Sequence, residues 1–304
     1  MTPSQSTPPG KYVAVVNPIS GRRNMTPLIE KVGALLRQRG VELDIRFTAG
    51  PGDATQIAST LRTDTKAVIV AGGDGTVFET MNGLTDPKTP LLILRTGTEN
   101  LLGRELGTPL RASRIVETII SGRVINRDAG RLNAKRFLVV AGIGFDAECV
   151  IRMNKVRRGH ITHGDYFWPI WRTFWSHRFP RLVIEADGRR VFDDRGLALI
   201  GVAPQYSVGL RVLARARPDD GLLDLIALPC GSKIRLLVHA GRVFLHRHVA
   251  NPSVVYGQYN KIRITSPDHV PVEADGELVG GLPVECETEP ASARFLISST
   301  SPSS

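Results

Sequence analysis

Cysteine is scarce in this sequence: Cys149, Cys230 and Cys286 are the only three among 304 residues, and no two are closely spaced. Such a count argues against a disulfide framework or a zinc site and fits a reducing, cytoplasmic setting. Long apolar runs are missing as well. The longest, around 137–143 and 197–203, have strand length, short of the roughly 20 residues a bilayer-crossing helix requires. Residues 1–10 lack both a basic start and an apolar stretch, so they read as a loose tail rather than a signal peptide, and 298–304 read the same way. Aromatics make up only 6%, and acids are outnumbered, 29 against 39 Lys and Arg, for a net charge of +10 with His neutral. That imbalance favours an anionic partner, whether nucleotide, nucleic acid or acidic lipid surface, and charge alone does not choose among them.

What is present is ordinary globular material. With 42% hydrophobic and 22% charged residues, the chain can bury about two cores of usual domain size. Strand and helix patterns alternate from 11 to about 128: strands at 12–16, 41–47, 67–71 and 91–94, helices at 27–39, 53–61 and 76–84. Such alternation predicts a mostly parallel sheet with helices on both faces, whose ligands sit at the carboxyl ends of the strands. After about 130 the rhythm changes to short strands, at 136–141, 181–186, 190–192, 197–203, 222–228, 254–256, 261–265 and 270–274. Asp187-Gly188 and Asp275-Gly276 lie between strand patterns as hairpin signals. The second region is therefore read as mainly antiparallel, with helical pieces near 150–175 and 232–246. The expected domains are 11–130, α/β, and 131–290, β. The last apolar run, within 291–298, can complete either.

The motif with the most chemistry is Ala71-Gly72-Gly73-Asp74-Gly75-Thr76, where a buried strand gives way to a helix. Glycines let a ligand approach the backbone, and the helix start offers unpaired N–H groups and the positive end of its dipole, which suits phosphate. Asp74 would repel bare phosphate, so a cation or proton relay is expected beside it. A glycine-rich tight turn is the plainer reading. The sequence is not a Walker A loop, because no Gly-Lys-Ser/Thr follows.

The run continues Val77-Phe78-Glu79-Thr80-Met81-Asn82-Gly83-Leu84 and resembles the GGDGT…E…NGL block of the diacylglycerol kinase catalytic-domain family. Three further blocks match in order: Asn17-Pro18-Ile19-Ser20-Gly21, Thr96-Gly97-Thr98-Glu99-Asn100 and Glu273-Ala274-Asp275-Gly276-Glu277. The resemblance spans about 11–297. It implies an NAD-kinase-like α/β nucleotide-binding domain followed by a β-sandwich, and an ATP- and Mg²⁺-dependent kinase acting on a lipid hydroxyl, such as diacylglycerol or a sphingoid base. It implies that Asn17, Thr48, Gly72, Gly73, Asp74, Gly75, Thr76, Glu79, Thr98 and Asn100 bind ATP. Glu277 is cast as general base and Asp74 as its partner in organising metal or water, the division between them staying open. For Thr48 a simple strand-end cap is the alternative, and for Glu277 an exposed residue after a turn.

Two positions depart from the family pattern. Leu101 follows Asn100 where relatives often carry Asp. Arg217-Pro218-Asp219-Asp220-Gly221-Leu222 resembles a structural-cation block in which Asp220 and the Leu222 carbonyl fit as ligands, but Arg217 stands where an oxygen ligand belongs; a cation held by Asp220 and Leu222, or an Arg217–Asp220 pair in its place, are the two readings. Gly142-Ile143-Gly144-Phe145-Asp146-Ala147 reads as a dinucleotide fingerprint, yet it falls where the chain turns antiparallel. Lys155-Val156-Arg157-Arg158 precedes an aromatic cluster containing every tryptophan, Trp168, Trp171 and Trp175. This stretch either adsorbs to an anionic membrane and admits a lipid tail or packs its rings into the β domain. His160 and His163 lack a third ligand nearby. The expected partners are a lipid at a membrane surface, with peripheral contact and no nucleic acid; oligomeric state is not legible. NAD kinase, or a non-catalytic lipid- or nucleotide-binding relative, are the rival readings.

Overall fold

The computed structural model describes residues 11–21, 24–96, 100–156, 167–206 and 210–299. It contains two compact units: one runs to Asn126 and is completed from Ala293 onward, the other runs Arg127–Ser292.

In the first unit, β1 (Lys11–Val16), β2 (Leu43–Phe47), β3 (Thr65–Gly72) and β4 (Leu91–Arg95) form a parallel sheet in the order β2-β1-β3-β4. The end of β15 (Val284–Ile297) adds to β4 in parallel at Phe295 and Leu91. Tyr12, Ala14, Val16, Ile69, Ala71, Leu92 and Leu94 share one face of this sheet, as the two-residue repeat of a strand demands. Against them lie Ile29, Val32 and Leu36 of α1 (Thr26–Arg37) and Ile115, Val116 and Ile119 of α5 (Ala112–Ser121). The alternate residues, Val13, Val15, Val68, Val70 and Ile93, are buried too. Parallel sheets need cover on both faces, which explains why these strands read as unbroken apolar runs.

α2 (Asp53–Ser59) and α3 (Asp74–Gly83) pack together. Gly83 sets how close they come: a Cβ there would meet the Thr55 carbonyl oxygen at 2.3 Å. The short α4 (Leu101–Glu105) precedes α5.

The second unit is a mostly antiparallel β-sandwich. One layer runs β14 (Glu277–Gly281), β13 (Pro271–Ala274), β7 (Val140–Ile143), β9 (Arg189–Gly201), β10 (Leu223–Pro229) and β11 (Val255–Tyr259). The other pairs the first half of β9 with β8 (Arg181–Ala186), then β12 (Lys261–Thr265) and the start of β15. β9 therefore serves both layers. It is one 13-residue strand, not the two separate strands that its exposed Asp193-Asp194-Arg195 centre suggests. β5 (Arg123–Leu132) and β6 (Lys135–Phe137) form a hairpin in which the Phe137 ring lies over Gly130, where an added Cβ would come within 2.0 Å of it. Three helices decorate the sandwich: α6 (Phe145–Val156), α7 (Phe167–Ser176) and α8 (Lys233–Phe244). The 150–175 region is thus two helices, with residues 157–166, including Arg157, Arg158, His160 and His163, outside those described. No helix among the described residues is long and apolar enough to cross a membrane.

Candidate active site

The order β2-β1-β3-β4 places a topological switch between β1 and β3, from which the chain crosses to β2 on one side and to β4 on the other, and the loops leaving these strands gather at their carboxyl ends. Asn17 follows β1. Its N–H donates to the Ala71 carbonyl at 2.9 Å, its side-chain amide donates to Thr76 Oγ1 at 3.3 Å, and its Oδ1 accepts from Ile19 N–H at 3.2 Å. Thr48 follows β2, buried, with its N–H on the Val16 carbonyl at 2.9 Å. Thr96 follows β4; its hydroxyl donates to Ser20 Oγ at 3.0 Å, and its N–H donates to Asn100 Oδ1 at 3.1 Å. Four strand-end loops are thereby stitched into one edge.

The glycine loop divides into residues that pack and residues that stay open. A Cβ on Gly72 would strike Thr76 at 2.4 Å, so Gly72 is required by internal packing. Gly73 is different: a Cβ there would meet only Ser20 Oγ, at an ordinary 3.4 Å, and its φ of −81° suits any residue. Nothing in the fold demands glycine at 73. A ligand approaching the backbone would. Gly73 is also the N-cap of α3, and no side chain caps that helix start, which leaves the first turn suited to an anion. Asp74 and Gly75 form that turn, and the buried Thr76 anchors it by accepting the Thr80 hydroxyl on its carbonyl at 2.7 Å.

Glu79 is held by the loop that follows β2. Its carboxylate accepts the N–H groups of Gly52 at 2.8 Å and Ala54 at 3.2 Å, at the start of α2. Asp53 accepts from Ala49 and Gly50 N–H at 2.7 and 3.0 Å. These two acids brace the turn after Thr48, so Glu79 shapes the loop through its own backbone partners.

Asn100 is buried at a left-handed φ of 45°, and its side-chain amide nitrogen has no hydrogen-bond partner among the described residues. An orphaned buried donor at the sheet's carboxyl edge is where a nucleotide acceptor atom would fit. Arg95, at the end of β4, likewise has a buried Nε without a partner. Arg95 does not stand out in the sequence, where its strand-end position was the available signal, whereas Ser20 lies within the Asn17–Gly21 block. Thr98 lies outside the described residues.

In the second unit, Asp275 (φ 49°) and Gly276 (φ 84°) make the tight turn between β13 and β14. The Asp275 carboxylate accepts the N–H groups of Leu138, Val139 and Val140 at 2.6, 2.9 and 3.0 Å. This Asp fixes the hairpin, and Glu277 stands partly exposed at the start of β14.

Behind the hairpin, Glu273 is buried and its Oε2 accepts Gly276 N–H at 2.8 Å. Glu273 Oε1 and Asp146 Oδ2 converge over Gly142, where a Cβ would lie 2.6 and 2.3 Å from them. Tyr206 donates its hydroxyl to Asp146. Burial, then the Asp146 charge, pushes the Glu273 carboxyl well above its usual range, and burial also raises Asp146. Gly142-Ile143-Gly144-Phe145-Asp146 is thereby explained without a dinucleotide: Gly142 makes room for the acid pair, Gly144 turns at φ 85°, and β7 pairs antiparallel.

The cation reading of Asp220 and Leu222 meets a loop closed by protein groups. Asp220 accepts Leu222 N–H and the Gln258 amide, both at 3.1 Å. The expected Arg217 pairing is corrected: its guanidinium lies 3.4 Å from Asp219, an exposed pair, and Asp220 keeps its own partners. Gly221 N–H is held by Asp128 at 2.7 Å. Among the described residues, no group of three His, Cys, Asp or Glu side chains could hold a metal.

A switched parallel sheet with an uncapped helix start at its carboxyl edge, followed by a β-sandwich, is suited to binding a phosphate-bearing ligand at that edge. A model of the diacylglycerol kinase catalytic domain matches residues 11–132, and one of the YegS C-terminal NAD kinase beta sandwich-like domain matches 139–297. The chain belongs to the diacylglycerol kinase catalytic-domain family. It is 29% identical to a diacylglycerol kinase of Mycobacterium tuberculosis over 94% of this chain and 95% of that one. With a diacylglycerol kinase of Staphylococcus carnosus it shares 28% over 88% and 89%. A crystal structure from Bacillus anthracis str. Sterne, of a proposed diacylglycerol kinase, superposes with a TM-score of 0.76 at 25% identity, covering 96% of this chain and 99% of that one.

Proposed function

We propose that this lipid kinase works with Mg²⁺ at the cytoplasmic face of a membrane and transfers the γ-phosphate of ATP to the hydroxyl of diacylglycerol or a closely related lipid alcohol. The observation that carries the site is Gly73, a glycine that the fold itself does not need, at the uncapped start of α3. The relatives named as diacylglycerol kinases over nearly their whole length support that acceptor.

ATP supplies the phosphoryl group. The chain binds its phosphates with the backbone of Gly72–Thr76, where α3 turns its N–H groups outward, while Asn17 and Thr76 hold each other at the loop's base. The buried Asn100 amide donates to the nucleotide, with Thr48 and Thr98 as further contacts. Glu79 positions the Thr48 turn through α2. Mg²⁺ commonly rests on one or two carboxylates plus substrate phosphates and not on an all-protein cage; Asp74 fits that pattern, and the ion would neutralise charge on the phosphates. Glu277, at the start of β14 beside the Asp275 turn, takes the proton from the lipid hydroxyl. Positioning contributes more than proton removal in such transfers.

The test is transfer of labelled γ-phosphate to diacylglycerol, sphingosine and ceramide in mixed micelles, with NAD as a competing acceptor. Label in diacylglycerol is the expected result. Label in NAD, or in none with ATP still bound, overturns the proposal.

A further inference from the structure

Two helices of the β-sandwich unit turn their apolar sides to solvent. On α8, Leu236 and His239 face inward, while Ile234, Leu237, Val238, Phe244 and Leu245 are exposed, Ile234 by 76% and Phe244 by 74%. The spacing i, i+3, i+4, i+10, i+11 lines these residues along one side of the helix and its continuation. α7 repeats the arrangement. Pro169 and Thr173 are buried, while Phe167, Trp168, Ile170, Trp171 and Trp175 are exposed. Trp171 stacks on Phe167 at 6.0 Å and meets Trp175 edge-on at 5.6 Å.

The helices meet. Lys233, at the start of α8, donates to the Trp175 carbonyl at the end of α7 and holds its ammonium 4.9 Å from that indole ring. The two exposed stripes therefore belong to one neighbourhood of one unit. Surface hydrophobics scattered singly need no explanation, but a patch of this extent marks an interaction site.

Charge decides the partner. Between Asp224 and Asp268 the sequence has no acid, yet it carries Lys233, Arg235, Arg242 and Arg247; 167–184 likewise has Arg172, Arg178 and Arg181 and no acid. Arg172, Arg178, Arg235, Arg242 and Arg247 are exposed. An apolar face with tryptophans, carrying these exposed cations beside it, matches an anionic bilayer, where rings enter the acyl boundary and guanidinium groups stay among the head groups.

We infer that α7 and α8 together form a membrane-docking face that seats this protein on anionic phospholipid. The inference deepens the proposed lipid kinase reading and rests on it for its purpose, though not for its test. Docking presents the sandwich to a lipid layer and raises the local concentration of acceptor without changing the phosphate site.

The full chain is sedimented with phosphatidylcholine vesicles, with and without phosphatidylglycerol, beside L237E/F244E on α8 and W171A/W175A on α7. Each double variant should bind anionic vesicles on the order of tenfold more weakly, or less, given the apolar area removed. Each should keep its rate on a short-chain diacylglycerol dispersed as monomers. R235Q/R242Q leaves the apolar face intact and should lose mainly the preference for phosphatidylglycerol, which serves if an α8 variant misfolds. Wild-type binding by the α8 variant overturns the inference. So does self-association abolished by these substitutions while vesicle binding persists, which would make the face a contact between copies. If the wild type binds vesicles as expected but phosphorylates no lipid, the docking face stands and the kinase reading falls.

Discussion

α1 and α8 are both 12-residue amphipathic helices, and they point their apolar stripes in opposite directions. In α1, Ile29, Val32 and Leu36 are fully buried against the parallel sheet. In α8 the longer stripe, from Ile234 to Leu245, faces water, and only Leu236 and His239 are inside. The difference follows from the sheets beneath them. A parallel sheet has two apolar faces and must be covered by helices, whereas the layers of a sandwich cover each other. Helices added to the sandwich are free to face something else. Periodicity thus reveals that a helix has an apolar side but not which medium meets it.

The largest effect expected concerns what the two units do in common. Each carries one candidate catalytic carboxylate, Asp74 in the first and Glu277 in the second. D74N and E277Q should each lower turnover by about 100- to 10,000-fold while ATP affinity changes far less. Single-turnover transfer beside equilibrium nucleotide binding separates the two quantities. Near wild-type turnover in both variants would remove these residues from the mechanism.

Stability sharpens the helix comparison directly. L36A deletes a fully buried side chain and should cost about 2–5 kcal/mol. L237A, on a side chain 60% exposed, should change stability by about 0.5 kcal/mol or less. Urea midpoints for both, with unchanged slopes, test this. An equally costly L237A would mean that the α8 stripe is covered within the chain.

Much of the architecture was legible because local and global signals agree in it. The strands at 12–16, 67–71 and 91–94 are apolar on both faces, and that alone marks a buried parallel sheet. Asp187-Gly188 forms its hairpin at φ values of 46° and 77°, as the pair predicts. Other elements give weaker signals. β5 carries Arg123, Asn126, Arg127 and Asp128, because part of it is exposed and Asp128 holds the N–H groups of Gly221 and Ala291. β14 has only the pair Leu278-Val279 for an apolar run, and β15 places Glu285, Glu287 and Glu289 at alternate positions before Ala293. At the site, the motif marked the loop but not the work within it: Gly72 and Gly83 serve packing, Glu79 braces the start of α2, and Gly73 stays open. Those assignments depend on distances between segments far apart in sequence.

The two Asp-Gly hairpins offer a smaller contrast. Asp275 accepts three backbone N–H groups from Leu138–Val140, whereas Asp187 accepts those of Asn260 and Lys261 at an exposed edge. D275A should cost about 1–3 kcal/mol, because partly buried donors lose their acceptor, and D187A about 1 kcal/mol or less. Thermal unfolding ranks them, and the reverse order would contradict the assignment of Asp275 as the hairpin's brace.

The smallest effect is a pH dependence peculiar to the sandwich unit. Glu273 faces Asp146 directly, with the Tyr206 hydroxyl on Asp146 and Asp275 and Cys149 nearby. Burial and the Asp146 charge raise Glu273 above its usual 4.5. A folded-state pKa above the unfolded one means that the native protein binds the proton more tightly. The resulting stability is fully present below the usual carboxylate value and is lost as pH rises through the raised one. Paired surface acids such as Asp193, lowered by the Arg181 hydrogen bond, act in the opposite sense. E273Q keeps a neutral, hydrogen-bonding side chain and removes the titration, so the difference in melting temperature, variant minus wild type, should become more positive from acidic to neutral pH. A difference that shrinks over that range would mean that the Glu273–Asp146 pair holds no proton, and that the hairpin bearing Glu277 rests on a fully ionised pair.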